Sequence, residues 1–180
     1  MTCPWSTSTT SGTRWWRSLL LPIGDTIIET PMANRTRYFE TFAYRGLLLE
    51  YFDSAANWIS APKPQLLDDT YNIRPVDGVV LNDHEPVFDA ANVLRVGEDI
   101  LYLVSCSGNE RWLQRVLGDR YRVHAVRDVY SGTHLDTTIT LVRPGLVVIS
   151  PERVKPDQVP EIFADWEILW CPELVDPGYV

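Results

Sequence analysis

The chain has 180 residues and 20.6 kDa, with 45% apolar and 22% charged residues, a globular composition at the size of one ordinary domain. Sixteen Lys and Arg against 24 Asp and Glu give a net charge of −8, which argues against nucleic acid and anionic membrane as main partners. Three widely spaced cysteines, Cys3, Cys106 and Cys171, argue against a disulfide framework or a zinc finger, and neither a membrane-length apolar run nor a secretory leader is visible, so a soluble cytoplasmic protein is expected.

Residues 1–17 are rich in Ser and Thr, with three tryptophans at no regular period, and read as a disordered or poorly packed stretch. From Ser18 the chain becomes orderly. Ser18-Leu19-Leu20-Leu21-Pro22-Ile23, then Gly24-Asp25, then Thr26-Ile27-Ile28-Glu29 predicts a β-hairpin, with Pro22 marking an edge or a bulge. Residues 35–53 predict a helix, with Phe39, Phe42, Leu49 and Phe52 on one face. Asn57-Trp58-Ile59-Ser60 closes the unit as a strand.

The same order returns twice. Residues 92–104 form a second hairpin around Gly97, followed by a short helix N-capped by Asn109 and ended by Gly118, then a strand over 121–126. Residues 137–150 form a third hairpin around Pro144-Gly145, followed by a helix over 157–165 and a strand over 167–170. Residues 68–85, rich in Asp, Pro and Asn, read as an insertion loop. Three strand–Gly–strand–helix–strand units imply stacking or closure around an axis, because one unit cannot bury its apolar face alone.

Polar residues gather just before the first strand of each unit: Ser18, Asp89 in Phe88-Asp89-Ala90-Ala91-Asn92, and His134 and Asp136 in Thr133-His134-Leu135-Asp136-Thr137. Closure around an axis would bring these ends to one cavity. An imidazole can shuttle a proton near neutral pH, and a carboxylate can orient it or grip a cation. His-x-Asp also occurs in ordinary solvated loops, so spacing alone leaves both readings open. His84 reads as a solvated turn residue and His124 as half-buried structure. Cys106 reads as a structural or incidental thiol, because no base adjoins it in sequence, and Cys171, before Pro172 at a strand end, reads as packing. Arg35-Thr36-Arg37, unfavourable for the dipole at a helix start, reads as a solvated face, with service to an anion or an internal carboxylate as the alternative.

Several phrases resemble the amidinotransferases. They are Gly24-Asp25-Thr26-Ile27-Ile28-Glu29, Pro31-Met32-Ala33, Ala61-Pro62-Lys63-Pro64, Phe88-Asp89-Ala90-Ala91-Asn92-Val93-Leu94-Arg95, His134-Leu135-Asp136-Thr137-Thr138, Pro144-Gly145-Leu146-Val147 and Ser150-Pro151-Glu152-Arg153. The likeness runs over about 17–180 and looks nearest to the inosamine-phosphate branch. It implies a pentein-type α/β propeller of five ββαβ units, of which residues 18–180 would form about three. It implies transfer of the amidino group of L-arginine to an amine, an amino-cyclitol phosphate or glycine, through a cysteine intermediate. No metal or organic cofactor is implied.

Residue by residue, Asp89 and His134 match the catalytic aspartate and histidine, and Asp136 and Arg153 match substrate-binding residues. A carboxylate suits a guanidinium, and an arginine suits a carboxylate or phosphate. Two departures stand out. Ser18 occupies a place where the family has an aspartate. The family's catalytic cysteine lies in the final unit, a position that Cys3, Cys106 and Cys171 do not match, so a truncated chain with little turnover is expected. Two rival readings are an inactive remnant or arginine-binding module, and a guanidine hydrolase such as a deiminase. A homo-oligomer is left open.

Overall fold

A computed structural model of the chain describes residues 16–74, 78–109, 112–127, 129 and 134–171. The Ser/Thr-rich stretch and Cys3 therefore lie outside the described residues, except that Trp16–Leu19 forms a single helical turn, α1. The three units expected from the repeat are present. The first comprises β1 (Leu20–Ile23), β2 (Thr26–Glu29), α2 (Arg45–Asp53) and β3 (Asn57–Ser60). After a further hairpin, β4 (Tyr71–Arg74) and β5 (Gly78–Leu81), the second comprises β6 (Val93–Val96), β7 (Asp99–Leu103), α3 (Leu113–Leu117) and β8 (Arg122–Val126). The third comprises β9 (Ile139–Arg143), β10 (Leu146–Ile149) and β11 (Glu167–Trp170).

Each unit is a three-stranded sheet with the same wiring. The first two strands pair antiparallel, and the third returns parallel to the middle one, as in Leu21↔Ile28 and Ile28↔Ile59. Unit two repeats this with Val93↔Tyr102 and Ile100↔Val123. The hairpin turns need φ > 0, and Gly24, Gly97 and Gly145 supply it at 63°, 66° and 79°. Pro22 sits on edge strand β1, where its missing N–H breaks no ladder bond.

Strand β7 shows why the units stack. Its side chains alternate in direction. Ile100 and Tyr102 enter one core with Leu21, Ile23, Ile28 and Phe88, while Leu101 and Leu103 enter another with Ile139, Val147, Ile149 and Phe163. All four are nearly inaccessible to solvent, and each such burial contributes about 1.5–3 kcal/mol. Unit two is thus covered on both faces by its neighbours. The repeated, stacked three-stranded units agree with the pentein-type α/β propeller that the resemblance implies.

Four expectations are corrected. The helix over 35–53 is two 3-10 turns followed by α2, and Phe39, Phe42 and Phe52 are exposed while Leu48 is buried. The helix over 157–165 is two 3-10 turns, Pro156–Gln158 and Glu161–Phe163, because Pro160 cannot donate the bond that would join them. Residues 68–85 are not a loop: they hold the β4–β5 hairpin. Asn109 does not cap α3. It is buried and binds Val87 N–H, and the Asn82 and Glu85 carbonyls.

Candidate active site

The segments preceding the three first strands come together as expected. α1 packs on the 3-10 turn Ala90–Asn92, which packs on the 3-10 turn Leu135–Thr137. The first two segments carry one candidate each, Ser18 and Asp89, and the third carries His134 and Asp136. Ser18 is buried, and its carbonyl accepts from Thr30 Oγ1 at 2.9 Å. Asp89 and His134 are the residues immediately before the second and third turns.

Asp89 and His134 meet although 45 residues apart, with His134 Nε2 3.0 Å from Asp89 Oδ2. They are only 4% and 9% exposed. An ionised carboxylate only accepts, so the pairing assigns the Nε2 proton to the histidine. The other carboxylate oxygen, Oδ1, accepts from the Ala33 amide at 3.2 Å. Ala33 is fixed in turn, because the Tyr71 hydroxyl donates to its carbonyl at 2.6 Å. Burial pushes the Tyr71 phenol above its ordinary pKa, with the charges of Glu85 and Asp89 adding to the effect against Arg35. The phenol therefore stays a donor. A residue of each of units one, two and three thus meets at this carboxylate.

Asp136 is half-buried in the turn that follows His134. Arg153 is half-buried and donates from Nη1 to Thr137 O and Oγ1, each at 3.1 Å. Thr137 Oγ1 donates to the His134 carbonyl at 2.9 Å. Arg153 is therefore fastened to the histidine turn, and the four sequence candidates divide into one direct pair and two flanking side chains. The Ala33 amide and Tyr71 are additions. No residue-type signal reveals Ala33, since its contribution is a backbone N–H.

Other candidates fall elsewhere. His84 lies in an Asx turn, its amide donating to Asn82 Oδ1. His124 is more exposed than expected and sits 2.7 Å from Asp99 Oδ1. This pair lines a surface groove of about 470 Å³ with Arg127, Gln158 and Glu161. Neither Asp89 nor His134 lines that groove. Arg37, expected on a solvated face, is buried and pairs with Glu40 at 2.8 Å. Among the described residues, no cluster of three His, Cys, Asp or Glu is arranged to hold a metal, and no helix is long and apolar enough to cross a membrane.

No family model matches the chain. Against curated proteins, it is 55% identical over 166 residues to inosamine-phosphate amidinotransferase 1 of Streptomyces griseus, covering 91% of this chain and 48% of that one. It is 42% identical to the L-arginine:L-lysine amidinotransferase of Pseudomonas savastanoi pv. phaseolicola, over 89% of this chain and 47% of that one. Among solved structures, the S. griseus inosamine-phosphate amidinotransferase superposes with a TM-score of 0.86, covering 91% of this chain and 48% of that one. The DDAH of Pseudomonas aeruginosa, at 13% identity and TM-score 0.64 over 88% of this chain and 52% of that one, shares the fold. The chain spans about half the length of the curated relatives it matches. By sequence and fold it is similar to the amidinotransferases over about nine-tenths of its length.

Proposed function

We propose that this chain, related to the amidinotransferases over nine-tenths of its length, carries the aspartate–histidine part of a site that moves the amidino group of L-arginine to an amine. The observation that carries the reading is the buried Asp89–His134 pair, fixed by Ala33 N–H. The acceptor we favour is an amino-cyclitol phosphate, because the relatives include an inosamine-phosphate amidinotransferase. The reaction runs in two covalent steps. A thiolate adds to the guanidinium carbon, the C–N bond to the ornithine nitrogen breaks, and His134 gives that nitrogen a proton. The acceptor amine then adds to the amidino-sulfur carbon, His134 takes a proton from it, and the C–S bond breaks to restore the thiolate.

Asp89 holds the imidazole and stabilises its charged form, and it also faces the guanidinium of a bound arginine, so that binding depends on it. Asp136 takes the guanidinium through paired hydrogen bonds, and Arg153 takes a carboxylate or phosphate of the substrate. The nucleophile in this reading is none of Cys3, Cys106 and Cys171. Cys106 lies in the turn after β7 and Cys171 just after β11, neither of which precedes the first strand of a unit as Asp89 and His134 do.

Ornithine release from arginine plus an amine tests this. The 180 residues alone are expected to give little or none, since losing the nucleophile costs many orders of magnitude in rate. Brisk ornithine formation would place the nucleophile within the chain. Citrulline as the product would replace transfer by hydrolysis, the deiminase-type alternative. Arginine binding without either product supports the site while leaving turnover to a fuller assembly.

A further inference from the structure

Asp89 faces both His134 and Ala33 from a backbone that is itself held at its amide and its carbonyl. The holding comes from a turn that the proposed chemistry does not use. Ser105 and Gly108 bond to each other in both directions across the turn that follows β7, N to O at 3.0 and 3.3 Å. The Asp89 amide donates to the Ser107 carbonyl at 3.0 Å. Asn92, wholly inaccessible to solvent, sends its Nδ2 to the same carbonyl at 3.0 Å and to Ser107 Oγ at 2.9 Å. Its own amide donates to the Asp89 carbonyl at 3.0 Å. Asn92 therefore grips Asp89 at both ends: directly through the carbonyl, and through Ser107 at the amide.

The Oδ1 of Asn92 is buried without a hydrogen-bond partner among the described residues. An amide that leaves its acceptor unpaired contributes through its donor, since an apolar side chain would fill the space without that cost. Space around the donor is also closed. A Cβ on Gly108 would lie 3.0 Å from Asn92 Nδ2 and 2.5 Å from Tyr102 Oη, and Tyr102 is itself fully buried. We infer that Asn92 is a positioning residue for the Asp89–His134 pair, acting through the Ser107 carbonyl. The inference deepens the proposed function and rests on it for its catalytic meaning, but its geometry is tested without substrate.

The experiment is nitrogen-edited NMR of the whole chain. It follows the His134 Nε2 proton, which the pairing with Asp89 holds against solvent. The chain has three histidines, so His84→Gln and His124→Gln variants assign the signal. The expected result is a slowly exchanging Nε2 proton in the unaltered chain and its loss in Asn92→Ala. It persists in Ser107→Ala, which keeps the carbonyl, and in Leu48→Ala, which softens a distant core position. Asn92→Ser carries the same expectation should the alanine variant fail to fold. Persistence of the signal in the folded Asn92 variant overturns the inference, as does equal loss in Leu48→Ala. Each of these outcomes is reached whether or not the chain binds arginine, so failure here is distinguishable from failure of the proposed function.

Discussion

Asp89 meets His134 at 3.0 Å and Asp99 meets His124 at 2.7 Å, yet the two pairs are built for different ends. The first has side chains 6% and 11% exposed, and it joins unit two to unit three. The second has side chains 20% and 47% exposed, and it lies within one sheet. Asp99 also takes two bonds of 2.7 Å from Arg122, from Nε and Nη2. Those bonds, followed by the one from His124, hold its carboxyl well below the usual carboxylate range. The shorter contact is therefore the one with less to do. Solvent screens it and a permanent cation neutralises it. In the buried pair the second carboxylate oxygen takes a neutral backbone amide instead. That arrangement leaves an imidazole whose proton is positioned by a carboxylate, which is what acid–base work requires.

The largest expected effect breaks the buried pair. Asp89→Ala takes the carboxylate from His134 Nε2 and from the Ala33 amide in a nearly dry site, and a buried group left unsatisfied costs about 1–3 kcal/mol. Denaturant unfolding should show a loss of about 2–4 kcal/mol. Gly108→Ala follows, because its methyl must displace a fully buried tyrosine hydroxyl. Overpacking of this kind costs about 1–3 kcal/mol, measured the same way. Asp99→Asn should move Tm by less than about 3 °C, and raised salt should shrink the difference. A larger drop for Asp99→Asn than for Asp89→Ala would invert the comparison.

Acid provides a gentler probe. Burial alone would raise the Glu29 carboxyl, but hydrogen bonds from Thr41 and Ser60, then the Lys63 charge, bring it below its ordinary value. Lys63 Nζ lies 3.5 Å from it. A depressed carboxylate stabilises the fold at any pH above its unfolded pKa, about 4.3 for Glu. That contribution fades as pH falls through the folded value. Glu29→Gln should therefore flatten the loss of stability on acidification below about pH 4.5, read from Tm against pH. Asp99→Asn should flatten it at still lower pH, since the Asp99 carboxyl is held lower.

The repeat is readable in the sequence because its signals are local. Gly24, Gly97 and Gly145 each stand between two short apolar runs, and all three adopt φ > 0. The polar position before each unit is readable for the same reason, and it leads to Asp89 and His134. What escapes depends on partners far along the chain. Phe39, Phe42 and Phe52 have helical spacing but remain exposed, since spacing names a face and not what covers it. The β4–β5 hairpin is obscured by surrounding Asp, Pro and Asn, although Gly78-Val79-Val80-Leu81 is an apolar run. Asn109 has a capping side chain, and tertiary contacts use it as a clasp on residues 82–87 instead. The Asn92 grip depends on a serine carbonyl, a group that every residue possesses.

If the buried pair belongs to a guanidinium site, the chain should hold L-arginine through it. Isothermal calorimetry of the chain with L-arginine at millimolar concentration tests this, with Asp89→Ala and Asp99→Ala measured alongside. The predicted result is binding heat that disappears in Asp89→Ala and persists in Asp99→Ala. Absence of heat in the unaltered chain, or heat that survives in folded Asp89→Ala, would contradict it.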